Sequence, residues 1–461
     1  MSDIHGKIKD FIYSRQEELV KNLTELVAIP SYKGSPEDGA PFGASTKEAL
    51  YKMKNICDGM GLKTTVYENA VLCADWGEEP ELGILAHLDV VPVHDENRGN
   101  WATDPFQLTE KGGVLYGRGA IDDKGPAVAA LWALNCVKEL GIPLKKGVRL
   151  IFGTDEENGS EDLEIYKKYD RFPTNVFTPD GSFPVINIEK GMLRLLFNGE
   201  FQSGELVMFE GGSVPNAVPN HAQARLLSIS LGDVEREVGS IAGADFSVGD
   251  RYGHVEIGCG GKSAHASTPE AGVNALTALI ALLNRVTDEP VLRGLGELFP
   301  FGETDGAALG IKCADESGAL TCVLSKISTE QGAINGVVDI RFPTCTNLEF
   351  VKGRLTSALG DIGLKCRVLL GEEPHVVPEN SKFVQTLLRV YERIEGEKGR
   401  CIAIGGGTYV HNIEGGVAFG AERGDTDYHM HGDNEFITVE ELLKDAVLFA
   451  EVIAEVSGQT V

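Results

Sequence analysis

The stretch ILAHLDVVPV, residues 84–93, sets Ile84, Leu85, Leu88, Val90, Val91 and Val93 in the pattern of a strand buried on both faces. It is interrupted by an imidazole, His87, and a carboxylate, Asp89. Regular elements are predicted on both sides of it. Over 6–28, apolar residues recur at helical spacing (Ile8, Phe11, Ile12, Leu19, Leu23, Leu26, Val27) until Pro30. A second helix is predicted over 45–62, with Ser45 as N-cap, Glu48 completing a capping box, and Gly59 and Gly61 as the stop. Strands are predicted at 63–67, 71–75, 82–88 and 147–153, and a helix at 124–140. Such alternation predicts a mixed, mostly parallel sheet flanked by helices.

The pattern changes in the middle of the chain. From about 191 to 375 there are short alternating runs such as MLRLLFNGEF, HAQARLLSISL and HVEIGCGGKSAHA, with helices such as 272–286 among them. From about 380 the first pattern returns, through SKFVQTLLRVYERIEG, RCIAIGGGTYV and TVEELLKDAVLFAEVIAEV. The expected organisation is one discontinuous α/β domain, residues 1–190 and 376–461, carrying an inserted α+β domain over 191–375.

Composition narrows the classes. A chain of 461 residues is too long for one ordinary core. Hydrophobic residues make up 42% and charged residues 24%, as in folded proteins. A formal net charge of −27 argues against nucleic acid and anionic membrane surfaces as partners. The first residues are charged every few positions and no run of 18 apolar residues occurs. The nine cysteines, from Cys57 to Cys401, include no C-x-x-C pair and read as reduced thiols. A cytoplasmic location is therefore expected.

Five stretches carry candidate chemistry. His87 and Asp89 lie near the end of a predicted strand, where open α/β sheets gather their ligands. YGRGAIDDKGP places Asp122 and Asp123 before a helix; LIFGTDEENG runs a strand into Asp155, Glu156 and Glu157; VFTPDGSFP carries Asp180; and DTDYHMHGDNE carries His429 and His431. Each has a plain alternative reading: a buried His–Asp pair, a helix cap, a solvated loop, a surface turn, a structural histidine. As one set, His87, Asp122, Glu157, Asp180 and His431 offer imidazole and carboxylate without sulfur, which suits hard-to-borderline divalent cations. Five ligands are too many for one tetrahedral ion with an open position. They suit two ions about 3.5–4 Å apart sharing a carboxylate.

The order H-x-D, G-R-G-x-x-D-D-K-G, D-E-E, P-D-G, H-x-x-N-E resembles the co-catalytic dinuclear metallopeptidases of the aminoacylase, carboxypeptidase and dipeptidase group, along essentially the whole chain. The resemblance implies that His87 and Asp180 hold one metal, that Glu157 and His431 hold the other, and that Asp122 bridges both through a turn with a cis Asp122–Asp123 bond. It implies Glu156 as general base and Asp89 as the partner that orients His87. His429, two residues before His431, competes for the ligand role, and the H-x-x-N-E spacing favours His431.

The long insertion resembles the bacterial dipeptidase V type, whose doubled lid, here two ferredoxin-like halves, takes the place of a second subunit and implies a monomer. By the same resemblance His265 polarises the scissile carbonyl, Asn216 lies nearby, and Arg341 with Gly406, Gly407 and Thr408 grips the substrate carboxylate. The expected function is metal-dependent hydrolysis of dipeptides with two divalent ions, zinc first and manganese or cobalt as alternatives. An aminoacylase-type hydrolase of N-acylated amino acids shares this metal core and stands as the alternative. A non-catalytic metal-binding protein on the same scaffold would be expected to lack a ligand or the base, and none is missing. GGKSAH is not a phosphate loop, because Glu256 stands where the first glycine belongs.

Overall fold

A computed structural model describes residues 2–251, 253–424 and 426–458. The chain divides into two compact units, Met1–Asn187 with Val376–Ile402 and Gly407–Val461, and Ile188–His375 with Ala403–Gly406. The segment 403–406, which the sequence pattern assigns to the outer stretches, belongs to the second unit. There the Ile404 carbonyl accepts from Lys190 N at 3.0 Å and the Gly405 carbonyl from Arg341 Nη1 at 3.3 Å.

The first unit is built on a mixed sheet. Its centre is four mutually parallel strands in the order Val148–Gly153, Leu82–His87, Asn175–Thr178, Gly416–Ala418. Antiparallel neighbours flank it: Val71–Trp76 and Lys63–Tyr67 on one side, Val185–Glu189 on the other. Leu82–His87 is buried at every position, which explains its nearly unbroken aliphatic sequence. The strand ends at His87, so Asp89 lies beyond it and the two side chains are not bound by strand alternation. The carboxyl ends of three parallel strands thus deliver His87, the 154–157 loop and the 179–181 turn to one edge.

The helix Lys124–Glu139 is buried from Lys124 through Val137 and packs against Val439–Val456, Ser2–Ser14 and Gln16–Val27. Its first residue is a fully buried lysine. Lys124 Nζ donates to the carbonyls of Leu26 (3.0 Å) and Ile29 (2.8 Å), at and just beyond the end of helix Gln16–Val27, as a second donor beside the backbone N–H groups of Ile29 and Ser31. Burial lowers its pKa to about 7.

Two local expectations fail for identifiable reasons. The single helix over 6–28 is two, Ser2–Ser14 and Gln16–Val27, broken at Arg15, where Ser14 Oγ donates back to the Phe11 carbonyl. The next helix, Ala44–Gly59, starts one residue early with Gly43 as N-cap. Gly43 has φ +102°, and a Cβ there would lie 2.8 Å from Gly34 Cα, so only glycine fits. Ser45 turns its hydroxyl to the Tyr32 carbonyl instead of capping. A capping box does form at the last helix, where Thr438 and Glu441 exchange side-chain and backbone hydrogen bonds.

The second unit is one antiparallel sheet of eight strands, in the order Asp245–Arg251, His254–Gly260, His221–Leu226, Leu206–Gly211, Thr321–Glu330, Ala333–Phe342, Gly191–Glu200, Lys365–Glu372. Its two four-strand halves meet through Leu206–Gly211 and Thr321–Glu330, paired at Glu210 with Ser328 and Gly211 with Ile327. The halves differ in strand order, third-fourth-second-first against second-third-first-fourth by position in the chain. Strands such as Gly191–Glu200 alternate buried and half-buried residues, because helices such as Ala275–Val286 and Leu348–Asp361 cover only one face. No helix among the described residues is long and apolar enough to cross a membrane.

The Lys124 contact generates a stability expectation. Lys124→Met keeps the length of the stem and removes a buried charged donor from two carbonyls that keep only their backbone partners, Ile29 N and Ser31 N; hydrogen bonds from a charged group are worth about 1.5–3 kcal/mol. Urea unfolding should show a midpoint lowered by at least the equivalent of about 2 kcal/mol; an unchanged midpoint would mean that water replaces the ammonium.

Candidate metal centre

The five side chains singled out as ligands converge within the first unit. His87 Nε2 lies 3.0 Å from Asp122 Oδ1 and 3.8 Å from Asp180 Oδ2. His431 Nε2 lies 2.8 Å from the other oxygen of the same carboxylate, Asp122 Oδ2, and 3.1 Å from Glu157 Oε2. Asp122 thus turns one oxygen to each histidine. Two groups result, His87–Glu156–Asp180 and Asp122–Glu157–His431, each with its potential ligand atoms within 4.8 Å of one another. Glu156 reaches the first group, which makes it a possible ligand as well as a possible base. The Asp122–Asp123 peptide bond is cis. His429 points elsewhere: its Nδ1 is 3.0 Å from the Asp433 carbonyl oxygen and its ring packs edge-on against Phe436.

The loops are pinned from beneath by carboxylates accepting backbone N–H groups. Asp89 accepts from Glu156 N and Glu157 N, 3.2 Å each. His87 Nδ1 lies 3.0 Å from the Asp89 main-chain oxygen and 3.5 Å from its carboxylate. Asp89 therefore holds both the histidine ring and the Glu156–Glu157 turn. Asp123 Oδ2 accepts from His87 N at 3.0 Å. Asp162 accepts from Thr154 N, Asp155 N and the Tyr409 hydroxyl (2.6 Å). Gly153 is obligatory here, because a Cβ would fall 1.6 Å from Tyr409 Oη.

Electrostatics ask for a cation. Asp122, Asp180, Glu156 and Glu157 crowd around two imidazoles, with Asp122 and His87 buried, Asp180, Glu156 and Glu157 half-buried and His431 exposed. Burial and then the charge of Asp122 push the Asp180 carboxyl up to about 7. Burial and then Asp180 raise Glu156 well above its ordinary value, and burial and then Asp122 raise Glu157. Burial opposes charge on Asp122 too, yet His431 and His87 outweigh it and hold that carboxyl well below the usual range. His87 Nε2 and Glu157 Oε1 are buried and make no well-aligned hydrogen bond. Unsatisfied nitrogen and oxygen lone pairs amid excess negative charge fit divalent ions, and the donor set of imidazole and carboxylate fits zinc, manganese or cobalt.

Most of the remaining candidates lie in the second unit. His265 Nδ1 is 2.7 Å from Ser267 Oγ, and the Asn216 carbonyl accepts from Ala266 N at 2.9 Å. A Cβ on Gly405 would meet Ser267 Cβ at 2.5 Å, so the start of the glycine run is held against this turn. Arg341 is 4% exposed and already engaged: Nε donates to Asp339 Oδ1 at 2.6 Å and Nη2 to Asp339 Oδ2 at 3.3 Å. Arg194 also donates to Asp339, at 3.0 and 3.1 Å, leaving a net positive charge on the trio. Burial and then the charge of Arg341 lower the pKa of His265, which favours the neutral imidazole. Gly406 belongs to the second unit, Gly407 and Thr408 to the first.

Sequence reasoning missed Arg194, Asp162 and Tyr409, and left Glu435 without a role. For Arg194 no local signal exists, since it meets Asp339 only through the pairing of two strands. Asp339, by contrast, stands two residues before Arg341 on one strand and therefore on the same face, a legible sign that the arginine has a partner.

A sequence profile described as peptidase family M20/M25/M40 matches residues 83–455. The chain is similar to the Beta-Ala-Xaa dipeptidase of Lactobacillus delbrueckii subsp. lactis, 31% identical over 97% of this chain and 98% of that protein. It is likewise similar to the Bacillus subtilis (strain 168) protein YtjP, named a dipeptidase, at 32% identity over 97% and 98%. Human carnosine dipeptidase 1 shares the fold at a TM-score of 0.62 and 20% identity, covering 98% of each chain.

Two adjoining ligand groups give a stoichiometric expectation. Protein stripped with a chelator and titrated with zinc or manganese should take up two equivalents, and His431→Ala should take up one. At a hundredfold excess over Kd, each ion stabilises the folded state by about 2.7 kcal/mol, readable as a rise in Tm. No uptake and no rise would remove the metal reading.

Proposed function

The chain belongs to peptidase family M20/M25/M40, hydrolases of peptide bonds, and from that premise we propose that it is a dipeptidase with two divalent ions at its reaction centre. The observation that carries the proposal is the sharing of Asp122, whose two oxygens face His87 and His431 at 3.0 and 2.8 Å. His87 and Asp180 would hold one ion and Glu157 and His431 the other, with Asp122 available to both. Bound there, two such ions supply Lewis-acid polarisation of a carbonyl and bring the pKa of a water toward neutrality.

The chain's own residues do the rest. Desolvation and then the charge of Asp180 raise the pKa of Glu156 above its ordinary value, the direction that suits a carboxylate which takes and returns a proton. It removes the proton of the water that attacks the scissile carbonyl carbon. It then delivers that proton to the amide nitrogen as the C–N bond breaks, giving one carboxylic acid and one amine. Asp89 fixes the turn from which Glu156 projects, through the N–H groups of Glu156 and Glu157. In the second unit, neutral His265 is suited to donate a hydrogen bond to a substrate oxygen. The net positive Arg194–Asp339–Arg341 trio is suited to a carboxylate, with Asn216 and the Gly406–Gly407–Thr408 run contributing polar groups. Recognition of a free carboxylate restricts hydrolysis to substrates with a nearby C-terminus, and the name of the Lactobacillus relative makes β-alanyl dipeptides the first to test.

Glu156→Ala should lower kcat at least 10²–10⁴-fold while leaving two ions per chain by elemental analysis. Loss of one ion would reassign Glu156 as a ligand of the His87–Asp180 group, and unchanged turnover would overturn the mechanism. A panel of Ala-His, β-Ala-His and N-acetyl amino acids should show hydrolysis of the dipeptides; preference for the N-acetyl compounds would favour the aminoacylase alternative.

A further inference from the structure

Beneath the ion ligands, two buried side chains cross between the segments that carry Asp122 and His431. Glu435 is 0% exposed. Its Oε1 accepts from Ile121 N at 3.0 Å and from Asp122 N at 3.2 Å. Its Oε2 accepts from Arg118 Nη1 at 2.6 Å. Arg118, 3% exposed, reaches the opposite way and donates through Nη2 to the Gly432 carbonyl at 2.9 Å. Each side chain thus grips the backbone at or next to a ligand on the other segment, Glu435 at Asp122 and Arg118 beside His431. Main-chain contacts add to this: Gly117 N donates to the Glu435 carbonyl at 3.0 Å, and Tyr116 pairs with Phe436.

The His431 turn needs such a hold. His429, His431 and Asn434 all have left-handed backbone, with φ of +56°, +60° and +64°. For residues with a Cβ, such conformations are strained and persist only where the surroundings impose them. Asn434 is tied through Ala102 N and the Asn100 carbonyl, His429 Nδ1 lies 3.0 Å from the Asp433 carbonyl oxygen, and Arg118 holds the Gly432 carbonyl next to His431. The Asp122 end is similar. Its carboxylate must turn one oxygen to each histidine, and Glu435 fixes the peptide from which that side chain departs.

We propose that Glu435 and Arg118 form a reciprocal clasp that positions Asp122 and His431 for joint metal binding. They are positioning residues, touching neither substrate nor ion. The inference rests on the two-ion reading of the centre.

Equilibrium binding of zinc to chelator-stripped full-length protein tests it. Glu435→Gln keeps the volume but must set an amide NH2 against either Arg118 or the two N–H donors. Arg118→Lys keeps the charge but loses the fork that serves Glu435 and Gly432 together. Both variants should bind zinc 10- to 100-fold more weakly, the scale on which outer hydrogen-bond partners tune metal sites. The double variant should lose less than the product of the single losses, because the two act as one unit. Arg149→Met, which breaks the Arg149–Asp75 pair elsewhere in the unit, serves as control: it should lower Tm without changing zinc affinity. Should Glu435→Gln fail to fold, Arg118→Lys decides. Wild-type zinc affinity in the folded variants, or an equal loss in Arg149→Met, would overturn the clasp. Failure of the wild-type protein to bind two ions would instead strike the functional reading itself, so the two failures are separable.

Discussion

The constraint on which this architecture turns is the crowding of buried and half-buried negative charge at one carboxylate. Asp122 meets His87 with one oxygen and His431 with the other, while Asp180, Glu156 and Glu157 close in around them. Left to themselves, such groups resist ionisation, and the upward shifts of Asp180, Glu156 and Glu157 express that resistance. A site of this kind is a poor structural element and a good cation trap. The backbone around it is arranged accordingly: carboxylates that do not face the cluster, Asp89, Asp123, Asp162 and Glu435, accept from main-chain N–H groups and keep each loop in place.

This division of labour between acids that face inward and acids that pin backbone also explains what the sequence discloses. The inward-facing ligands each sit in a short motif at a strand end or a helix start, where a charged residue breaks an apolar run. Such a break is visible in one dimension, so His87, Asp122, Glu157 and Asp180 could be singled out. The parallel core was legible for the same reason, since Leu82–His87 is buried at every position and Val148–Gly153 at all but Arg149, and both read as largely apolar runs.

What could not be read depends on three-dimensional pairing or on backbone conformation. The H-x-x-N-E spacing favours His431, but the left-handed backbone that turns His429 away from the cluster is announced by no propensity. The cap at Gly43 rests on the approach of Gly34, a contact between loop positions with no shared pattern. Arg194 reaches Asp339 across a strand pair, and segment 403–406 joins the second unit through hydrogen bonds of Lys190 and Arg341. A two-unit reading from periodicity alone has no means to notice four residues that change allegiance.

The packing of Lys124–Glu139 against Val439–Val456 carries a consequence for biosynthesis. The earlier helix is apolar on all sides, yet the partner that covers it leaves the ribosome some 300 residues later, roughly 15–60 s at ordinary elongation rates. For that interval the nascent N-terminal portion has a greasy rod without its cover and an acidic pocket without one of its histidines. Assembly of the first unit therefore waits until Val439–Val456 has been made, and a chain stalled before that helix would expose apolar surface of the kind a holdase chaperone binds.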